Sequence, residues 1–272
     1  MAEDVVLHEV RDDGVAILTL NRPDRLNAWT GELEDRYFTL LDDCNKNDDV
    51  RAIVVTGAGR GFCPGADMDL LQGLGGGGSN LTATERKPVT FPLTVRKPLI
   101  GAINGACAGI GLVQALMFDV RFAAAGAKFT FAFARRGLIA EHGSSWLLPR
   151  LVGMSRALDL MLSSRTFTAE EALELGIVNY VVAKEEVLDK AVAYASDLAR
   201  NCSPTSMAVM KQQLYGHALT DVDAALSESN KLMRESLGRS DFKEGVASYL
   251  EKRQPSFDPL GTALVPSMTD KA

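Results

Sequence analysis

The 272-residue sequence predicts an α/β fold, in which a core of repeated strand, glycine-rich turn and helix units precedes an all-helical tail. Two observations lead there. Short apolar runs of strand character recur ahead of glycine-rich turns with a coarse period of about 45 to 50 residues, each turn feeding an apolar segment with helical spacing. After Thr168 that strand chemistry nearly disappears, and periodic helical patterns take over. The length suits one large domain with an appendage better than two equal domains.

In chain order, Val5 to Val10 and Val15 to Leu20 read as a β-hairpin closed by Asp12, Asp13 and Gly14. Residues 30–46 read as a helix. The continuous apolar run Ala52 to Thr56 suits a buried strand that delivers the chain into GAGRGFCPGAD. Lys97-Pro98 and LIGAI begin the next unit, in which NGACAGIG forms a tight turn and LVQALMF the helix. Asp119 to Ala124 and Lys128 to Thr130 are a third pair of short strands. Thr168-Ala-Glu-Glu reads as a capping box. Helices are expected around 185–200, 204–215, 221–238 and 240–252, with one strand from Ile177 to Val182.

Hydrophobic residues form 46% of the chain and charged ones 24%, so it folds rather than remaining disordered. A net charge of −6 argues against nucleic acid as a partner, because phosphate neutralisation needs a basic surface. Cys44, Cys63, Cys107 and Cys202 have no C-x-x-C spacing, and the first residues lack a basic stretch followed by an apolar one. A cytoplasmic location is therefore expected. The longest apolar candidate, Pro98 to Val120, is broken by glycines, Asn104 and Gln114, so no membrane span is expected.

Gly73, Gly75 and Gly78 match G-x-G-x-x-G, but they follow DMDLLQ rather than a strand, and a surface loop explains them better than a dinucleotide site. The three histidines, His8, His142 and His217, are too scattered to suggest a metal site. More informative are Gly61 to Asp67 and Asn104 to Gly111, each after a strand. Glycines there permit close approach and free backbone N–H groups aimed at one ligand atom, which builds an oxyanion hole without side chains.

With these two turns stand LNRPDRLNA at 20–28, AIVVTGAGRGFCPGAD at 52–67, KPLIGAINGACAGIG at 97–111, DVRFAAAGAKF at 119–129, TAEEALELGIVNYVV at 168–182 and EGVASYLEKRQPSF at 244–257. In these motifs, taken in order, the chain resembles the crotonase, or enoyl-CoA hydratase/isomerase, family. The resemblance implies a spiral of ββα repeats over 1–204 and a helical oligomerisation region over 205–272, in a homotrimer or dimer of trimers. It implies an acyl-CoA thioester substrate, with coenzyme A entering only as part of that substrate and with no separate cofactor or metal. The oxyanion donors would be the N–H groups of Ala66 and Ile110. Residues 22–26 and 66–70, among them Arg22, Arg25, Leu26, Asp67, Met68 and Leu70, would line the coenzyme A site. Ala28, Gly65, Gly109, Phe133 and His142 would complete the substrate surface, and Tyr249 and Lys252 would approach the nucleotide end, often from a neighbouring subunit.

The sequence departs from the hydratases of that family at two positions. Val113 and Phe133 stand where two proton-transferring glutamates are found, and neither can carry a proton. One acid remains nearby, Glu141 in GLIAEHGSS, as in the family's single-glutamate Δ3,Δ2-enoyl-CoA isomerases. Phe133, Ile139, Ala140 and Trp146 are expected to enclose it in apolar surroundings that favour proton exchange near neutral pH. The resulting expectation is transfer of a 3-enoyl-CoA double bond to the 2-position with Glu141 as acid and base. The alternatives are hydration using Glu141 and a water, dienoyl-CoA isomerisation, thioester hydrolysis, or acyl-CoA binding without turnover. His142 is the alternative proton carrier, while Asp67 and Asp119 read as turn or cap residues.

Overall fold

The computed structural model describes residues 4–69, 72 and 86–261. Strands β1 (Val6–Val10) and β2 (Val15–Leu20) form the expected antiparallel hairpin, pairing Val6 with Leu20, and Gly14 takes the left-handed turn position at φ +81°. Helix α1 (Gly31–Lys46) opens on Thr30, whose hydroxyl accepts a hydrogen bond from Leu33 N–H at 3.2 Å. Its Leu33, Tyr37, Phe38, Leu40, Leu41 and Cys44 are buried, an apolar stripe with helical spacing.

Three successive passages each give one strand to each of two sheets. They are β3 (Ala52–Gly57) with β4 (Gly61–Cys63), β5 (Leu99–Ile103) with β6 (Ala106–Ala108), and β7 (Val120–Ala124) with β8 (Lys128–Thr130). Among the described residues one sheet runs β1-β2-β3-β5-β7-β10 and the other β4-β6-β8-β9, with β9 at Phe167–Thr168 and β10 at Tyr180–Val182. The strands from β2 through β10 in the first sheet pair in parallel. Their near-continuous apolar sequences follow, because both faces are covered. This is the ββα spiral. The coarse period holds once only: Ala52 to Leu99 is 47 residues, whereas Leu99 to Val120 is 21.

The remaining helices are α2 (Ile110–Leu116), α3 (Ser144–Val152), α4 (Met154–Ser163), α5 (Ala169–Leu175), α6 (Val187–Asn201), α7 (Pro204–His217), α8 (Val222–Leu237) and α9 (Ser240–Glu251). Helix α6 lies over β3, β5 and β7 and buries Val187, Ala191, Val192 and Ala195. The tail behaves differently: α8 buries no residue, and Leu214, Val222, Leu226, Tyr249 and Leu250 are exposed. No helix among the described residues is long and apolar enough to cross a membrane.

Several sequence expectations change. Helix α2 begins at Ile110, inside the glycine motif rather than after it, and β4 and β6 occupy parts of both motifs that were read wholly as turns. The strand expected from Ile177 shortens to Tyr180–Val182, since Gly176 at φ +81° ends α5 and the Ile177 and Val178 N–H groups turn back to Ala172 O. Thr168 caps α5 by accepting from Glu171 N–H at 3.3 Å, but Glu171 pairs with Arg165 at 2.6 Å and does not show the reciprocal half of a capping box. The Gly73, Gly75 and Gly78 motif lies outside the described residues.

Candidate active site

Two glycine-centred turns meet at the ends of β4 and β6. Gly65 (φ +110°) and Gly109 (φ +50°) take backbone conformations that residues with a Cβ rarely adopt. They also touch: a Cβ on Gly65 would stand 3.3 Å from Ala108 O, and one on Gly109 would stand 3.6 Å from Gly65 Cα. Their successors, Ala66 and Ile110, are the two expected donors. Ala66 forms an isolated parallel bridge with Trp29, in which Trp29 N–H donates to Gly65 O (2.8 Å) and Asp67 N–H donates to Trp29 O (2.9 Å). Since alternate residues of an extended segment present their amides to opposite sides, the Ala66 N–H points away from Trp29. Ile110 is the first residue of α2, where the N–H has no intrahelical acceptor and the helix dipole is positive. Neither N–H donates to an acceptor among the described residues.

The loop of the LNRPDRLNA motif holds the first turn through a residue that was not singled out, Asn27. Asn27 is fully buried and sits at φ +66°; its amide donates to Ala58 O (3.0 Å) and Gly61 O (2.9 Å), and its Oδ1 accepts from Arg22 N–H (2.8 Å). A Cβ on Gly57 would lie 2.8 Å from that amide nitrogen. On the second turn, Asn104 donates to Gly57 O and Gly59 O, and Gly111 packs so closely on Cys63 that an added Cβ would lie 2.6 Å from Cys63 O. Asn27 stands in the quoted motif at 20–28 and Trp29 just beyond it, but the contacts that tie them to the first turn, with Ala58, Gly61 and Ala66, lie more than 30 residues away in sequence.

The structure reassigns part of the expected coenzyme A surface. The Arg22 fork turns inward, with Nη1 and Nη2 at 3.1 and 3.0 Å from Asp67 Oδ2 and Nη1 at 2.5 Å from Ala28 O. Asp67 is buried, and the Asp69 N–H together with Arg22 holds its carboxyl below the usual carboxylate range. Arg22 and Asp67 thus satisfy each other. Arg25 and Met68 remain exposed beside them, with Arg25 3.7 Å from Asp69, while Leu26 covers Gly61. Leu70 lies outside the described residues. Tyr249 and Lys252 sit exposed on the tail, Lys252 at φ +54° closing α9, and among the described residues neither bonds to the two turns.

Val113 is fully inside the core and Phe133 is buried near Phe131, so both stand as apolar residues without access for a reacting water. Glu141 and His142 occupy the turn before α3, where His142 (φ +56°) and Gly143 (φ +81°) bend the chain and Ser144 N–H donates back to Glu141 O. The Glu141 carboxylate lies 3.3 Å from His142 Nε2. The expected apolar enclosure is incomplete: the Glu141 side chain keeps 34% of its exposure, and Ile139 and Ala140 point to solvent. Next to this turn a cavity of about 470 Å³ opens, walled by Thr90, Leu93, Gly143, Trp146, Leu147 and Tyr215. On α2, which follows the second turn, Gln114 donates to Val89 O at 3.0 Å, next in sequence to the cavity-lining Thr90.

A double spiral sheet carrying paired backbone donors defines a class, and the comparisons agree: the chain matches the enoyl-CoA hydratase/isomerase family over residues 10–259 and belongs to it. Among its relatives, the 1,2-epoxyphenylacetyl-CoA isomerase of Escherichia coli (strain K12) is 36% identical, over 94% of this chain and 99% of the relative. The enoyl-CoA hydratase AFT3-1 of Alternaria alternata is also 36% identical, over 90% of this chain and 83% of the relative. The crystal structure of an enoyl-CoA hydratase, EchA12_1, from Mycobacterium marinum is 52% identical, with a TM-score of 0.69 over 80% of this chain and 100% of that one.

Proposed function

We propose that this enzyme shifts the double bond of a 3-enoyl-CoA to the 2-position through a dienolate. The thioester oxygen accepts hydrogen bonds from the Ala66 and Ile110 N–H groups. Glu141 removes a proton from C2, and the electron pair of that bond delocalises onto the thioester oxygen. The same carboxylic acid then returns the proton at C4, and the electrons close the 2,3 double bond. One acid/base suffices when both carbons lie on one face of the chain, and preorganised donors lower the cost of the charge that develops.

The observation that carries this reading is the combination of two backbone donors with no acceptor among the described residues and one carboxylate, where Val113 and Phe133 offer no second. The acyl chain would run along α2 into the cavity beside Gly143, whose volume lies within the ordinary range for small-ligand sites. Exposed apolar residues on α7 to α9 support assembly of the tail region, residues 205–272, into a homotrimer or dimer of trimers. In such an assembly Tyr249 and Lys252 would serve the nucleotide end of a neighbouring site.

A second reading is hydration, favoured by one observation: the Glu141 and His142 pair is open to water and provides two titratable groups. Incubating 3-enoyl- and 2-enoyl-CoA with the enzyme separates the two, since hydration adds the mass of water and isomerisation adds none. Glu141→Gln should lose at least ~10²-fold in turnover and keep acyl-CoA affinity within a few-fold. A fully active Glu141→Gln enzyme would move proton transfer to His142, and a wild type inert towards every enoyl-CoA would leave a binding protein.

A further inference from the structure

We infer that Arg22 is a positioning residue of the oxyanion hole, fastening the two strands of the bridge that aims the Ala66 N–H. The inference rests on the proposed role of that N–H. The bridge between Trp29 and Ala66 is a single residue pair with two hydrogen bonds, outside either sheet. Nothing in its own ladder fixes the twist between its strands. Arg22 supplies the missing tie. Its Nη1 bonds Ala28 O, the residue before Trp29, and its two terminal nitrogens bond Asp67 Oδ2, the residue after Ala66. One planar fork therefore grips both strands within one residue of the bridge.

The tie is itself anchored at both ends. The Arg22 backbone N–H is held by Asn27 Oδ1, and the other Asp67 oxygen accepts from Asp69 N–H at 3.2 Å. Lysine cannot replace it, because a single ammonium lacks the fixed fork that reaches a carbonyl and a carboxylate together. Half of this geometry also argues against a phosphate-binding role. Three of its five N–H donors are taken by the Asp67 carboxylate and the Ala28 carbonyl, which leaves fewer for coenzyme A.

The test measures the thioester carbonyl stretch of a bound, slowly reacting acyl-CoA by difference infrared spectroscopy, with kcat, KM and the Kd of free coenzyme A. In the wild type the two N–H groups should shift the stretch to lower frequency on binding. Arg22→Met, which keeps the stem and removes the fork, should return it towards the free value. Its kcat should fall about 10- to 100-fold, as a misaligned donor predicts, with coenzyme A affinity within about three-fold. Arg22→Lys should not restore the shift. Asp67→Asn keeps the acceptor for Asp69 N–H, breaks the pair from the other side, and should reproduce the Arg22→Met spectrum even if that protein folds poorly. Glu141→Gln should retain the full shift. A wild type without any shift would overturn the oxyanion reading and this inference with it. A normal wild-type shift that survives in Arg22→Met or Asp67→Asn overturns the role of Arg22 alone, as does a loss confined to coenzyme A affinity.

Discussion

Replacing Gly111 by alanine should separate the two proposed oxyanion donors by a distance that can be stated in advance. Gly111 follows Ile110 in the first turn of α2, and its added Cβ would stand 2.6 Å from Cys63 O and 2.7 Å from both Cys63 Cβ and Sγ. The nearest obstacle is backbone, so a side-chain rotation cannot relieve it. Ordinary contact begins at 3.4 Å, and α2 and β4 must move apart by about 0.8 Å. Ile110 rides on one of these elements and Ala66 lies three residues beyond the other. A misplacement near 1 Å costs about 10²-fold in a positioned reaction, so enolisation should slow by about 30- to 100-fold. Overpacking costs about 1–3 kcal/mol, offset by roughly 0.5–1 kcal/mol from alanine's better helix propensity. The net change, a loss of about 0–2.5 kcal/mol, corresponds to a Tm lower by at most about 10 °C.

The assay for Gly111→Ala is exchange of the substrate's C2 proton for solvent deuterium, followed by mass spectrometry, alongside a thermal melt. Gly216→Ala is the control. That glycine lies in α7 with nothing within 4 Å of the added Cβ, so the substitution should raise stability by up to about 1 kcal/mol; because Gly216 also lines the 470 Å³ cavity, it controls for the thermal melt and not for exchange. If Gly111→Ala melts early yet exchanges within three-fold of the wild type, the contact between α2 and β4 does not set the donor geometry.

Two further outcomes follow from particular side chains. Lys97 is 3% exposed, donates to Cys44 O at the end of α1, and burial brings its pKa down to about 8 from 10.5. Between those values the unfolded chain binds the extra proton, so stability should rise with pH from about 8 to 10.5 by at most about 3 kcal/mol. Lys97→Met should flatten that rise in urea titrations, and parallel curves for the two proteins would contradict the burial argument. Trp146 and Tyr215 separate the 470 Å³ cavity from one of about 650 Å³ between α3, α6 and α7. Trp146→Ala should therefore raise kcat/KM for long acyl chains relative to short ones, and an equal decline at every length would show that no acyl chain reaches it.

What the sequence revealed depended on how local the cause was. The hairpin, α1, β3 and the tail helices were legible because periods of 2 and 3.6 residues, or a continuous apolar run, extend over at least five residues. Strands β4 and β6 were not, since each is three residues long and finds its partner across a loop. The start of α2 was hidden by Gly109 and Gly111, which read as turn residues although the second is helical and chosen for its contact with Cys63. The resemblance placed both Arg22 and Asp67 along the ligand site, and their mutual pairing across 45 residues is not visible in the sequence. Ile139 and Ala140 misled in the opposite sense, as apolar residues that the turn directs outward, leaving Glu141 partly open to water.

The donors proposed at Ala66 and Ile110 are main-chain groups, and this separates the two halves of the proposed chemistry under mutation. Any residue but proline keeps an N–H at position 66 or 110, so base changes in those codons seldom delete the enolate-stabilising half. The proton-handling half, as proposed, is held by the side chain of Glu141, which one substitution removes. With valine at 113 and phenylalanine at 133 the proposed backbone pair still stands, so the enolate-forming half of such a scaffold can outlast a change of proton carrier.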